Sequence, residues 1–474
     1  MDIKTININS VIEEAESLLA KDKKISPAIK AVIKMQSLVI RLLANKLNIT
    51  SKNSSKPPSE DKNRKRGSTR KKSNNKPGGQ RGHIGTRLKK VSDPDKTKDI
   101  RIDRRTLPRG YYKEVGYEAR QVFDFNITRM VTEYRAEILE DQKGNRFVAE
   151  FPEHVTAEVQ YGIGVKSTAV YYSQFQLLPY QRIQDQFADQ IKLPLSTGSL
   201  FNFNKEAYKL LERFDGLVKQ KLAMDKLLHA DETGINVNKK KFWLHCASNE
   251  NWTYFYPHEK RGTEAIDEIG ILPKFNGIIC HDHWKPYYKY KCIHALCNAH
   301  HLRELIRAEE QDNQEWAKAM RQLLLGINTE VENAGGILSK ERADYFRKRY
   351  RRILKKAQAE CPEPNRKKGQ KGRLKKSKSR NLLERLQEFE EDTLRFMENK
   401  IVPFTNNPGE NDLRMTKVQQ KISGCFRSID GAYIFCRIRS YLSTCRKNNV
   451  SSTDALRLLF EGKMPEFINN IMRN

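Results

Sequence analysis

The segment from Lys226 to Tyr290 is the most regular in the chain and constrains its fold more than any other. LLHAD (Leu227 to Asp231), FWLHCA (Phe242 to Ala247) and WTYFY (Trp252 to Tyr256) are short β-rich runs at close spacing, separated by Asn- and Lys-rich turns. A helix follows, opened by Thr263 and closed by Gly270. After it, GIICHD (Gly277 to Asp282) has the apolar character of a buried strand. The order β-β-β-α-β predicts a mixed sheet with an Asp at the end of its first and fourth strands.

The flanking sequence divides into segments of different character. Ile29, Val32, Met35, Val39, Leu42 and Leu47 recur at three- and four-residue steps, so residues 1–50 are expected to be helical, with an apolar stripe suited to oligomerisation or docking. Residues 51–91 lose this pattern and carry 14 Lys/Arg against Glu60 and Asp61, which marks a flexible basic linker. Residues 92–160 alternate apolar and polar side chains and hold no cysteine, as expected of a small β-rich module. In 161–224 two helical stretches flank LPLSTGS, where Ser196 or Thr197 can cap the second. A helix-turn-helix and a plain helical hairpin fit this pattern equally well. Residues 293–400 read as a helical insertion containing a second basic cluster, Arg366 to Arg380. The part from 401 to 445 includes a helix opened by Asn407 and Pro408 and stopped by Gly424, and 446–474 reads as a helical tail.

The 88 Lys+Arg against 58 Asp+Glu leave a net charge of +30. A polyphosphate backbone is the commonest partner that rewards such an excess, because its condensed counterions are released on binding. No apolar run approaches the roughly 20 residues of a membrane span. The N-terminal sequence lacks the order of a secretory signal, so a cytoplasmic, nucleoid-associated protein without membrane contact is expected. All eight cysteines lie in the second half, without a CxxC pair, which argues against a finger or ribbon zinc site and against a disulfide framework.

Asp231, Asp282 and Glu410 are the candidate catalytic and metal-binding residues. The first two end strands that would be neighbours in a mixed sheet, and the third lies in the first turn of a later helix. Three converging carboxylates suit Mg²⁺, and two such ions about 4 Å apart support in-line displacement at a phosphodiester. Each acid also has a local explanation: a turn cap for Asp231, an Asx turn for Asp282, and a capping box with Asn407 for Glu410. Cys292, His294, Cys297, His300 and His301 form a second cluster, but Cys-x4-Cys-x2-His matches no common closed zinc site, so no zinc is expected. Trp284, Tyr287, Tyr288 and Tyr290, interleaved with lysines, suit either base stacking or core packing.

Several blocks resemble the insertion-sequence-66-type transposases. They are NSSKPPSED (Asn53 to Asp61) with KPGGQRGHIGTRL (Lys76 to Leu88), HADETG (His229 to Gly234), HDHWKPYYKY (His281 to Tyr290), LCNAHHLREL (Leu296 to Leu305) and NNPGENDLRMTKVQQKISGCFRS (Asn406 to Ser428). The resemblance implies a DNA transposase with a ribonuclease-H-like core and an acidic triad of Asp231, Asp282 and Glu410. It also places the family's Cys-x-x-His signature on Cys297 and His300. Many relatives carry a CPxCG-type zinc module before the core, whereas residues 91–160 here contain no cysteine.

The expected architecture is therefore an α+β multidomain chain. A ribonuclease-H-like mixed sheet, formed by 225–292 and completed by 401–445, is interrupted by the helical insertion. Two Mg²⁺ ions, with Mn²⁺ as substitute, are expected at the triad. Lys71, Lys72, Arg81, Lys285, Arg366, Lys367, Lys368, Arg373, Lys375 and Lys376 are the candidate phosphate contacts. The expected partners are double-stranded DNA, as element ends and as target, a second copy of the chain in a synaptic homodimer or larger oligomer, and accessory element-encoded proteins. A non-catalytic DNA-binding regulator and a nuclease that cuts without joining are the alternatives.

Overall fold

The computed structural model describes residues 8–22, 24–47, 49–50, 52–54, 61, 88–364 and 374–473. Most of the 51–91 linker, including Lys71, Lys72 and Arg81, lies outside the described residues, as do Arg366, Lys367, Lys368 and Arg373.

The chain begins with helices α1 (Ile8–Lys21) and α2 (Pro27–Leu47), linked across their faces by Arg41 and Glu16 at 3.6 Å. Val32, Met35, Val39 and Leu42 of α2 remain exposed. From residue 88 to 160, regular strand is confined to one hairpin, β1 (Ile138–Glu140) with β2 (Arg146–Val148), and all six of its residues are exposed. The alternation of 92–160 therefore predicts more strand than forms. Its apolar side chains, such as Val122, Phe125 and Val131, meet no second layer, and strand content follows burial more than pattern.

Helices α3 (Ile163–Val170), α4 (Tyr180–Gln186), α5 (Thr197–Leu210) and α6 (Glu212–Ala223) lead into the sheet. Ser196 is the cap of α5, its hydroxyl accepting the Ser199 amide at 2.9 Å. Leu200, Phe203, Ala207, Leu211, Phe214, Val218 and Leu222 form a buried stripe along α5 and α6.

A five-stranded sheet follows, made of β3 (Leu227–Val237), β4 (Lys240–Ser248), β5 (Thr253–His258), β6 (Ile278–His281) and β7 (Ile293–Leu296), with α7 (Thr263–Ile269) crossing between β5 and β6. Its spatial order is β5-β4-β3-β6-β7. The first three strands are antiparallel, whereas β6 runs parallel to both β3 and β7. The sheet thus extends one strand beyond the expected end at Cys292. Gly277 makes the entry to β6 possible: a Cβ there would stand 2.6 Å from the Asp225 carbonyl and 2.7 Å from that of Lys226.

Helices α8 (Asn298–Asp312), α9 (Glu315–Asn333), α10 (Lys340–Glu360), α11 (Lys378–Glu388) and α12 (Glu390–Leu394) then build a second core around Trp316, Met320, Phe346 and Tyr350. The chain returns as α13 (Asn407–Ser423), which lies over β3 and β4, and α14 (Ile429–Lys447), which lies along β5. Ser440 and Thr444 of α14 accept the amides of Phe255 and Thr253 at 2.8 and 3.1 Å, so the outer edge of the sheet is covered. Two further helices, α15 (Ser452–Phe460) and α16 (Glu466–Arg473), end the chain. No described helix is long and apolar enough to cross a membrane.

Candidate active site

Asp231 lies within β3 and not at its end, because TGINV (Thr233 to Val237) continues the strand against β4. Asp282 follows the last residue of β6. Parallel pairing of β3 with β6 ends at His229 and Cys280, two residues before each acid, so Asp231 and Asp282 sit at the same level of neighbouring strands. The alternation of strand side chains then directs both to one face.

Glu410 reaches this region on the first turn of α13. Asn406, not Asn407, is the N-cap, and no side-chain cap bond forms, so the capping-box explanation of Glu410 fails. The Asn406 side chain is instead buried between elements. Its Nδ2 donates to the Ala230 carbonyl at 2.9 Å, its Oδ1 lies 2.7 Å from His229 Nδ1, and its backbone amide donates to Cys297 Sγ at 3.1 Å. Gly409 allows the close approach of α13 to β3: a Cβ there would meet His229 Cβ at 3.3 Å.

The site is electrostatically unbalanced. Burial pushes the Asp231 carboxyl well above its ordinary range, and the charges of Glu232, Asp282 and Glu410 push it further. Among the described residues, no Lys or Arg pairs with Asp231 or Asp282. The local hydrogen bonds are modest: Asp231 Oδ1 accepts the Glu232 amide at 2.8 Å, and Asp282 Oδ1 accepts the Trp284 amide at 3.0 Å. The second is the Asx-type contact expected of a turn residue, yet it leaves the other carboxylate oxygen available. Glu410 has His300 Nδ1 3.9 Å from Oε1 and an Arg303 nitrogen 3.9 Å from Oε2. His283, directly after Asp282, has a φ of 71°, a left-handed conformation that costs a non-glycine residue on the order of 1–3 kcal/mol.

Glu232 is a further acid that the sequence reading does not single out. Its side chain is fully buried behind Asp231, where Tyr287 donates to it at 2.6 Å and Arg261 at 2.7 Å. Burial and then the Asp282 charge push its carboxyl up to about 6, against the effect of these two partners. The Arg261 guanidinium stacks 4.2 Å from Trp284 and 4.8 Å from Trp243. A signal for Glu232 was present in the DE pair of DETG, since adjacent strand residues face opposite ways and one of the two must point into the layer behind.

The remaining candidates separate clearly. Cys297, the N-cap of α8, lies 3.9 Å from Glu410, but Cys292 belongs to the apolar core. His294 pairs with His281 at 3.1 Å, and His301 pairs with Asn298, also at 3.1 Å. Tyr287, Tyr288 and Tyr290 are packing residues: Tyr288 stacks on His294 at 4.3 Å and donates to Asp392 of α12, which docks the helical insertion on the sheet. Lys285 is exposed on the turn after Asp282, and Lys375 is also exposed. Lys376 is engaged by Glu384 at 2.6 Å.

Carboxylates from three separate elements, two of them with no Lys or Arg partner among the described residues and Glu410 with Arg303 at 3.9 Å, form an oxygen-donor set suited to hard divalent ions. Residues 4–89 match a family of unknown function, DUF6444, and a comparison with curated proteins gives no match. Residues 158–434, more than half of the chain and all of the site just described, match the model of the transposase IS66 family. The chain belongs to the IS66 family of transposases.

Proposed function

We propose that this chain is an insertion-sequence DNA transposase in which Asp231, Asp282 and Glu410 hold two Mg²⁺ ions, or Mn²⁺ in their place. The observation that carries this reading is the convergence of Asp231 with acids from a second strand and a helix, where burial and their charges push the Asp231 carboxyl well above its ordinary range with no Lys or Arg beside it among the described residues. The strand order, with three antiparallel strands followed by two parallel ones, supports a ribonuclease-H-like core. When bound, the cations supply activation of the attacking oxygen and stabilisation of the leaving oxygen. Water first attacks the phosphodiester at the element end and frees a 3′-hydroxyl. That hydroxyl then attacks a target phosphodiester, with no covalent protein intermediate.

The protein's own contribution is positioning. Asn406 and Gly409 fix Glu410 against the strand that carries Asp231, while Trp284 and the strained His283 hold Asp282. Lys285, exposed on the turn after Asp282, is available to a phosphate. The basic linker and the Arg366–Arg380 cluster supply sequence-independent affinity for duplex DNA. The exposed stripe of α2 supports self-association in a synaptic complex.

The test is cleavage of an end-labelled duplex carrying the DNA that flanks the gene, in Mg²⁺, with wild type beside Asp231→Asn. Site-specific release of a 3′ end by wild type, abolished in the variant while DNA affinity is kept, is the expected result. Specific binding without cleavage by either protein, in Mn²⁺ as well, would favour a regulator and refute the triad. A joined product with a short target duplication separates a transposase from a nuclease.

A further inference from the structure

Cys297, His300 and Glu410 bring a sulfur, a nitrogen and an oxygen together, and all three atoms lie within 4.8 Å of one another. Both Cys297 Sγ and His300 Nδ1 stand 3.9 Å from the same Glu410 oxygen, Oε1. His300 Nδ1 is inaccessible to solvent and makes no hydrogen bond, an orphaned polar atom within the group. The Asn406 amide donates to Cys297 Sγ at 3.1 Å and holds the sulfur in place. A tetrahedral ion with the usual Zn–S, Zn–N and Zn–O lengths holds its ligand atoms about 3.3–3.6 Å apart, so the two 3.9 Å separations would close by about 0.3–0.6 Å and the Cys297–His300 separation, within 4.8 Å, by up to about 1.2 Å, a rotation of the side chains.

We infer that these three side chains form a zinc-type site with its fourth position open to water. Mg²⁺ requires hard oxygen ligands and does not suit this donor set, whereas Zn²⁺ and Co²⁺ do. Binding forms the metal–sulfur bond and releases the thiol proton to solvent. The spacing of Cys292, Cys297 and His300 hides the site because Cys292 takes no part. The missing ligand comes from a helix 113 residues beyond Cys297. Glu410 belongs both to this set and to the acid triad proposed above. A zinc ion therefore competes with Mg²⁺ for it, although the site itself rests on Cys297 and His300 and not on the triad.

The experiment is a Co²⁺ titration of the full-length, reduced, chelator-stripped protein followed by absorption spectroscopy. One equivalent should develop a thiolate-to-cobalt charge-transfer band with tetrahedral d–d bands, and Zn²⁺ should displace it. Cys297→Ser should lose the charge-transfer band. Even outer partners of a metal site are worth about 10–100-fold in affinity, so His300→Gln should weaken binding by more than about tenfold. Asp231→Asn should leave the spectrum unchanged, so a failure of the triad reading would not be mistaken for a failure of this one. Absence of the charge-transfer band from wild type, its persistence in Cys297→Ser, or undiminished affinity in His300→Gln would overturn the assignment.

Discussion

Asn406→Ala removes the side chain that fastens the Glu410 helix to the Asp231 strand. Asn406 is 1 % exposed, and its amide group makes one hydrogen bond to the Ala230 carbonyl and one to the His229 ring. Two buried hydrogen bonds are worth about 1 kcal/mol each, and a buried partner left without a substitute costs a further 1–3 kcal/mol or so. The variant should therefore lose about 3–5 kcal/mol of stability, measured as a shift of the urea midpoint followed by tryptophan fluorescence. Because the backbone contact from residue 406 to Cys297 survives, α13 should remain docked but free to shift. Cleavage in Mg²⁺ should then fall by more than about tenfold, since misplacement of a catalytic group by about 1 Å can cost about 100-fold. DNA affinity should be unchanged, because Asn406 is buried and carries no charge. A midpoint within about 0.5 kcal/mol of wild type, or full cleavage by a destabilised variant, would refute the view that this residue positions Glu410.

The crowded acids make a prediction about pH. The Asp231 carboxyl is raised in the folded state, so its contribution to stability is complete below its unfolded value near 3.9 and is lost as pH rises through the folded value. At pH 7, without divalent ions, Asp231→Asn should melt above wild type, each kcal/mol being worth about 2–4 °C. The gap should close on acidification, and Mg²⁺ should raise the wild-type midpoint alone; calorimetry decides this. Gly277→Ala should cost about 1–3 kcal/mol or more in the urea midpoint, because its Cβ would meet two backbone carbonyls where β6 joins β3; an unchanged midpoint would remove that steric account. DNA affinity should fall by about 1000-fold or more between 50 and 200 mM salt if six or more phosphates are contacted. Replacing Arg366, Lys367, Lys368 and Arg373 by Gln should flatten the log–log slope by about 0.9 per lost contact, and a slope near zero in wild type would exclude the electrostatic reading.

Much of this architecture was legible because local pattern and burial agree there. FWLHCA lies within β4, all of WTYFY but its Trp252 lies in β5, and Thr263 and Gly270 bound α7. The errors occur where a neighbour decides the outcome. LLHAD ends in charged residues and looks finished at Asp231, but pairing of Gly234 with Trp243 and of Ile235 with Phe242 carries the strand to Val237. IHAL (Ile293 to Leu296) has only four residues. Its His294 invited a ligand reading, whereas the parallel ladder with β6 makes it an edge strand. In 92–160 the alternation is real, but no second layer covers it. The identity of the N-cap before Glu410 depends on where Asn406 finds buried partners, which lie more than 170 residues earlier and leave no trace in local spacing.

The distribution of charge has a consequence for the order of assembly. The chain carries a net +30, yet among the described residues no Lys or Arg pairs with Asp231 or Asp282, and Arg261, the guanidinium stacked beside Asp282's turn, is committed to Glu232 on the other side of the strand. A DNA phosphate brought to Asp231, Asp282 and Glu410 would add charge of the same sign in a poorly solvated place, where such repulsion is strongest. On the proposed reading, the lysines and arginines of the basic linker and of the cluster that starts at Arg366 would attract the phosphates and hold DNA without any metal. Under the proposed mechanism, docking and engagement are therefore separate steps, and only the second requires divalent ions. Overall DNA affinity should barely change when Mg²⁺ is replaced by an equal ionic strength of NaCl, whereas protection of the scissile phosphate in a footprint should appear only with Mg²⁺. Protection of that phosphate without a divalent ion would mean that a protein cation neutralises the acids after all, and the electrostatic argument for the metal site would fall.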